Sequence, residues 1–214
     1  MIRINKSREP ISLTTYRSQA GAVYDGPNFT PVKDAIRLSL LQEQGYVCAY
    51  CMRRIKQNNM KVEHYRCQNA HKQLQLCYTN LFACCDGNEG NPVKSQTCDT
   101  RKGSKNLTVD LLTNTPNISN IISYSTSGKI KSSNATVNSE LNDVLNLNQS
   151  RLVANRKALL EAVEEELGKK AGGRTSAEIT TLLRFYTSRD TNQKFKEYYG
   201  VAKFYLEKKL RRTQ

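Results

Sequence analysis

The stretch Cys48–His64, CAYCMRRIKQNNMKVEH, decides the fold. Two cysteines stand two residues apart and twelve residues separate the second from a histidine, which is the spacing of the first three ligands of a Cys2His2 zinc site. The second histidine of such a site follows a gap of three to five residues. Positions 68–70 are Gln, Asn and Ala, and His71 arrives one residue too late. MRRIKQNNMKVE also lacks the aromatic and the leucine that form the core of so small a unit. The Cys48–Cys51 knuckle therefore needs partners elsewhere.

Working outward, all seven cysteines fall between Cys48 and Cys98. An odd number cannot pair fully as disulfides, and clustering of this kind points to a local metal site. Cys48 and Cys51 with a Cys85…Cys98 pair make an all-sulfur tetrahedral set of the structural kind, holding Zn2+. The second pair is split by a Gly-rich loop over residues 86–97. Cys84 competes with Cys85. If Asn80–Cys85 is a strand, the two point to opposite faces and only one ligates. Cys67 and Cys77 read as bystanders in the intervening loop.

Four thiolates closing a zinc leave His64 free. Glu63 precedes it, a hard oxygen donor suited to Mg2+ or Mn2+, and Asp99 directly follows Cys98. Lys102 lies three residues on, over the same face of a helical turn as Asp99. A neutral histidine that activates water, a divalent ion and a lysine suit phosphodiester hydrolysis. Each residue alone has a plainer reading: Glu63 a surface charge on a strand, Asp99 an N-cap, Lys102 one lysine among many. Their joint order favours chemistry.

The surrounding chain supplies scaffolding. Residues 1–30 read as an irregular arm, broken by Pro10, Gly21, Gly26 and Pro27. Thr30-Pro31 opens a helix, hydroxyl as cap and proline at the first helical position, with an apolar stripe through Val32, Ile36 and Leu40 and an end at Gly45. Lys61–Tyr65 and Asn80–Cys85 alternate like strands, and CDTRKG opens a helix with Asp99 in its first turn. Residues 106–140 carry β-type signals, with ISNIISYST, Ser127-Gly128 and KIKSS forming a hairpin. From about Leu147 the chain turns helical. One helix ends at Gly172-Gly173, a second is capped near Thr175 or Ser176, and a third runs through FKEYYGVAKFYLEKKLRR.

Thirty-three Lys+Arg against 19 Asp+Glu leave a formal charge of +14, which favours phosphate-rich polymers by counterion release. The N-terminus has no apolar targeting core, and no run approaches the ~20 residues of a membrane span, so a cytoplasmic protein is expected.

In combination CAYC, Glu63-His64, Asn80-Leu81 leading to Cys85, and Cys98-Asp99 with Lys102 resemble the HNH nucleases, the ββα-metal-finger endonucleases. The resemblance implies His64 as general base, Glu63 and Asp99 as catalytic-metal ligands, Asn80 as the asparagine fixing the loop between the strands, and Lys102 near the phosphate. It selects Cys85 over Cys84. Aspartate at 99 and the twelve residues 86–97 depart from the usual pattern. MIRINKSREP, LLQEQGYVCAYC, VEHYR, YTNLFACCDGNEG and LNLNQSRLVANR are further similar to HNH proteins of retron and Septu anti-phage systems, the PtuB-like family. That likeness implies a defence effector acting with an ABC/SMC-like ATPase, sometimes with a retron reverse transcriptase and its DNA–RNA hybrid, and gives the basic C-terminal helices a role in docking the ATPase.

The expected fold is α+β: arm and helix over 1–45, an HNH core with its zinc site over 46–105, a hairpin or linker region over 106–145 and a helical part over 146–214. The competing readings are a non-catalytic zinc ribbon that binds nucleic acid or the ATPase, and a nuclease directed at RNA such as tRNA instead of DNA.

Overall fold

A computed structural model describes residues 1–112, 117–170 and 172–213, and its architecture is α+β, with helices around two small antiparallel sheets. Helix α2 (Thr30–Glu43) buries Val32, Ile36, Leu40 and Leu41, the stripe its periodicity predicts. Its N-cap is Phe29 and not Thr30; Thr30 already lies inside the first turn beside Pro31, and no side chain caps the end. The helix stops at Gln44, and Gly45 turns the chain at φ +60°. A Cβ there would sit 2.3 Å from the Phe195 ring, so the turn needs glycine for space as well as for conformation.

The arm expected to be irregular contains a helix, α1 (Ile11–Arg17). Ile and Thr make ISLTTYR a poor helix former in isolation. Leu13 and Tyr16 are buried and α1 packs on α2, so tertiary contact overrides propensity. Residues ahead of α1 are pinned along the body. Ile4 N–H donates to Leu111 O at 2.8 Å, and Lys6 Nζ reaches Glu43 Oε1 at 2.5 Å and Leu81 O at 2.8 Å.

The central hairpin joins β1 (Met60–His64) to β2 (Leu81–Cys85), with Met60 opposite Cys85 and His64 opposite Leu81. Strand β2 is buried along its whole length and contacts both α2 and helix α3 (Cys98–Lys102). The expected second hairpin forms from β3 (Ile122–Tyr124) and β4 (Ile130–Ser132), with Gly128 at φ +82° in its turn. Two neighbours read as β-type are helical instead. ISNI forms α4 (Ile118–Ile121), capped by the Asn117 side chain, and residues 135–144 form α5 (Ala135–Ser139) running into a π-helical turn over Glu140–Val144, with Asn134 as cap. Helix α6 (Ser150–Gly168) ends before the glycines assigned to its end. Helix α7 (Ser176–Thr187) starts from a Thr175–Glu178 capping box, and α8 (Tyr199–Leu210) begins after Tyr198, which sits at φ +55°.

One apolar cluster takes in Met1, α1, α2, the knuckle, β1, β2 and the second hairpin, and reaches Leu160 and Val201. A smaller one, Val163, Ile179, Tyr186, Ala202 and Leu206, joins α6, α7 and α8. No described helix is long and apolar enough to cross a membrane.

Candidate metal centre and active site

The knuckle is a tight turn in which Met52 N–H donates to Cys48 O at 3.0 Å and Cys48 N–H to Arg53 O at 2.9 Å, with Met52 at φ +64°. It is docked edge-on to β2. Ala49 N–H donates to Ala83 O at 3.0 Å, and the buried Gln44 amide closes the gap, accepting from Ala83 N–H and donating to Ala83 O, both at 2.8 Å. A single side chain thus replaces a missing strand partner.

Cys85 ends β2 and Cys98 opens α3, and the intervening loop is tied at its base by Thr97 N–H donating to Gly87 O at 2.9 Å. The Asn146 amide donates to Lys94 O and Gln96 O at 3.1 and 2.9 Å, and Cys98 N–H donates to Leu145 O at 2.9 Å. The sulfurs of Cys48, Cys51, Cys85 and Cys98 lie within 4.8 Å of one another and all four residues are buried. The Cys51–Cys85 separation of 3.8 Å equals the edge of a tetrahedron with metal–sulfur bonds of about 2.3 Å, which works out at ~3.8 Å. The four thiols could hold a metal ion such as zinc. Cys84 is fully buried but outside this set; Cys67 and the half-buried Cys77 also lie outside it.

Around β1 the remaining predicted residues assemble. Glu63 is 3% exposed, and its Oε1 accepts from Tyr50 OH at 2.8 Å and pairs with Lys102 Nζ at 2.7 Å. Burial first, then the Asp99 carboxyl hydrogen-bonded beside it, push the Glu63 carboxyl well above the ordinary range, while Lys102 opposes that shift. Lys102 does not line the open cleft beside Glu63 and Asp99. Its side chain is fully buried as the counter-ion of Glu63 and also donates to His64 O at 3.3 Å. The three-residue spacing from Asp99 put it on the correct helix face but carried no information on depth.

His64 Nε2 lies 3.0 Å from Gln75 O. A carbonyl only accepts, so Nε2 carries the proton and Nδ1 is left as the ring's lone-pair nitrogen. The Tyr24 ring packs edge-on against the imidazole at 4.5 Å, and Tyr24 N–H donates to the Gln75 side chain at 3.0 Å. Burial lowers the His64 pKa below its ordinary value, which favours the neutral base. Asn80 bridges the loop between the strands: its Oδ1 accepts from Arg66 N–H at 2.8 Å and its Nδ2 donates to Arg66 O and Leu74 O at 3.1 and 3.3 Å. Glu63, His64 and Asp99 line one open cleft of about 440 Å³, rimmed by Gln68, Asn69, Gly103 and Ser104. His71 starts a 3-10 turn in the loop, outside that cleft.

Sequence reasoning missed Gln44, Tyr50, Tyr24, Gln75 and Asn146. The LNLN repeat around Asn146 was the one visible signal, and it lay far from any chemistry.

No family model matches the chain. It is similar to a protein of Vibrio cholerae serotype O1 biovar El Tor named "Retron Vc95 putative HNH endonuclease", with 27% identity over 175 residues, covering 75% of this chain and 83% of that one.

Proposed function

We propose that this protein is a metal-dependent HNH endonuclease of the PtuB-like kind that hydrolyses nucleic-acid phosphodiester bonds. The observation that carries the reading is His64, with Nε2 committed to Gln75 O and Nδ1 left as acceptor, lining the same cleft as Glu63 and Asp99. A β-hairpin carrying the acid–histidine pair, followed by a short helix carrying a second acid, supports it, as does the likeness to a retron HNH protein.

In this reading His64 Nδ1 takes a proton from water, the resulting hydroxide attacks phosphorus, and the bond to the leaving sugar oxygen breaks, that oxygen taking a proton from solvent. A Mg2+ or Mn2+ ion, when held by Glu63 and Asp99, supplies charge that polarises the phosphate and stabilises the leaving oxygen. Lys102 and Tyr50 position Glu63 from behind, and Asn80 holds the loop that presents Gln75 to His64. Zinc on Cys48, Cys51, Cys85 and Cys98 is structural, stapling the knuckle to β2 and α3.

The relative's name supports a retron nuclease, and the sequence likeness to the PtuB-like family is what suggests a cytoplasmic anti-phage effector that works with an ABC/SMC-like ATPase. The test is to purify the chain with its genomic neighbours and assay plasmid DNA and total tRNA with Mg2+ and Mn2+, wild type against His64→Ala. Loss of cleavage with zinc content retained supports the reading. Equal cleavage by the variant removes His64 as the base, and no cleavage under any condition leaves the non-catalytic ribbon.

A further inference from the structure

Away from the cleft, and sharing no lining residue with it, the end of α7 and the chain leading to α8 enclose an open groove of about 540 Å³. Five cations line it: Arg54, Arg184, Arg189, Lys194 and Lys196. None of their side chains is ion-paired with a carboxylate among the described residues; Glu197 Oε1 meets Arg54 only at its backbone N–H, at 2.5 Å. The one acid in the groove, Asp190, turns its carboxylate onto the backbone N–H groups of Asn192 and Lys194 at 2.9 and 2.8 Å.

Two of the cations are fixed by neutral partners. Arg189 donates to Gln42 O and Glu43 O at the end of α2, both at 2.8 Å, and Arg54 donates to Gly45 O, Tyr46 O and Phe195 O. Carbonyls hold these guanidinium groups in place without cancelling their charge, which preorganises an anion site. Beside them Phe185 is 58% exposed, with Lys196 Nζ 4.1 Å from its ring centre. Five cations against one carboxylate, flanking an exposed ring, are what an unpaired nucleic-acid strand needs: charge for the phosphates and a flat face for a base. A duplex offers only the phosphates, because its bases are stacked on one another. The groove is also rigidly joined to the knuckle, since Tyr198 N–H donates to Met52 O and Phe195 N–H to Gly45 O, both at 3.0 Å.

We propose that this groove is a second nucleic-acid site, which binds a single strand with phosphates on Arg184, Arg189 and Lys196 and a base stacked on Phe185. It extends the nuclease reading without depending on turnover, because binding is measured with no divalent ion present.

The experiment is fluorescence anisotropy of the full chain with a labelled oligo(dT) of about 20 nucleotides and with a duplex of the same length, as a function of salt. The R184E/K196E variant is expected to bind the single strand at least tenfold more weakly, with the salt slope reduced by about 1.4, two contacts at about 0.7 each. F185A should weaken binding about tenfold with the slope unchanged, and F185W should restore it. The control is K129E/K131E on the β3–β4 hairpin, which makes the same change in net charge on exposed residues. Retained zinc and an unchanged urea midpoint show that each variant is folded. Binding by R184E/K196E no weaker than the control overturns the proposal. So does F185A binding as wild type, or an equal loss for duplex and single strand, either of which would assign the groove to an anionic surface without bases, such as an acidic protein.

Discussion

Gly87 and Thr97 close the long loop between the third and fourth cysteines at its base: Thr97 N–H donates to Gly87 O at 2.9 Å, and a Cβ on Gly87 would lie 2.2 Å from Thr97 O. The loop's length is therefore irrelevant to the metal centre as long as this pinch holds. It is what allows Cys85 and Cys98 to act as a pair without the usual two-residue spacing.

Gly87→Ala should therefore damage the centre from outside it. Gly87 sits at φ +57°, which alone costs a non-glycine residue about 1–2 kcal/mol, and the clash is with backbone, which cannot swing away. The expected loss is roughly 2–4 kcal/mol of unfolding free energy together with lowered zinc content. Gly90→Ala is the matched control, at φ +78° in the same loop with open space around it, and should lose only about 1 kcal/mol and no metal. Urea melts and zinc analysis per chain separate the two. Equal behaviour would show that the pinch does not matter.

Cys85 and Cys84 should part company in the same assays. Cys85→Ser removes one corner of the sulfur set and is expected to abolish stoichiometric zinc and cooperative unfolding. Cys84→Ala removes a buried sulfur that neighbours Cys48 but is not one of the four, so one zinc per chain should remain and stability should fall by about 1 kcal/mol. Chelation of wild type should mimic Cys85→Ser. Metal lost from Cys84→Ala and kept by Cys85→Ser would reverse the assignment.

Lys102→Met tests whether that lysine serves Glu63. Removing one member of a buried ion pair leaves the other uncompensated, and the expected destabilisation is about 3 kcal/mol. Adding Glu63→Gln should recover most of it, because a neutral amide still accepts from Tyr50 OH and needs no counter-ion. Cleavage should stay lost in the double variant. If Lys102→Met unfolds at the wild-type urea midpoint and loses only affinity for nucleic acid, the lysine contacts substrate.

The knuckle, the acid–histidine pair and both hairpins were legible because local spacing encodes them. What escaped depends on which distant backbone a polar side chain meets. Gln44 looks like an ordinary helix-end residue, yet its amide completes β2; Asn146 looks like a loop residue, yet it holds the chain just ahead of Cys98. Lys102 was singled out by its spacing, but its depth was not legible, since sequence shows a cation's spacing and not its burial. ISLTTYR reads against helix and becomes one because Leu13 and Tyr16 have a partner in α2. Residues 135–139 fell inside a region read as β-type, and the structure makes them a helix capped by Asn134.

The arm's deepest involvement with the site is Tyr24, and it supports a last prediction. Tyr24 braces the His64 ring edge-on, and its own backbone is tied to the Gln75 side chain, so arm, loop and imidazole form one bracket. Tyr24→Ala should leave the imidazole free to rotate away from Gln75 O, which lowers kcat about 10- to 100-fold while KM and zinc content hold. Tyr24→Phe keeps the ring that touches His64 and should cleave at close to the wild-type rate, since the hydroxyl takes no part in the contact. A fall in kcat for Tyr24→Phe as large as for Tyr24→Ala would assign the effect to the hydroxyl and remove the bracket as its cause. A rise in KM with kcat unchanged would instead make Tyr24 a substrate contact.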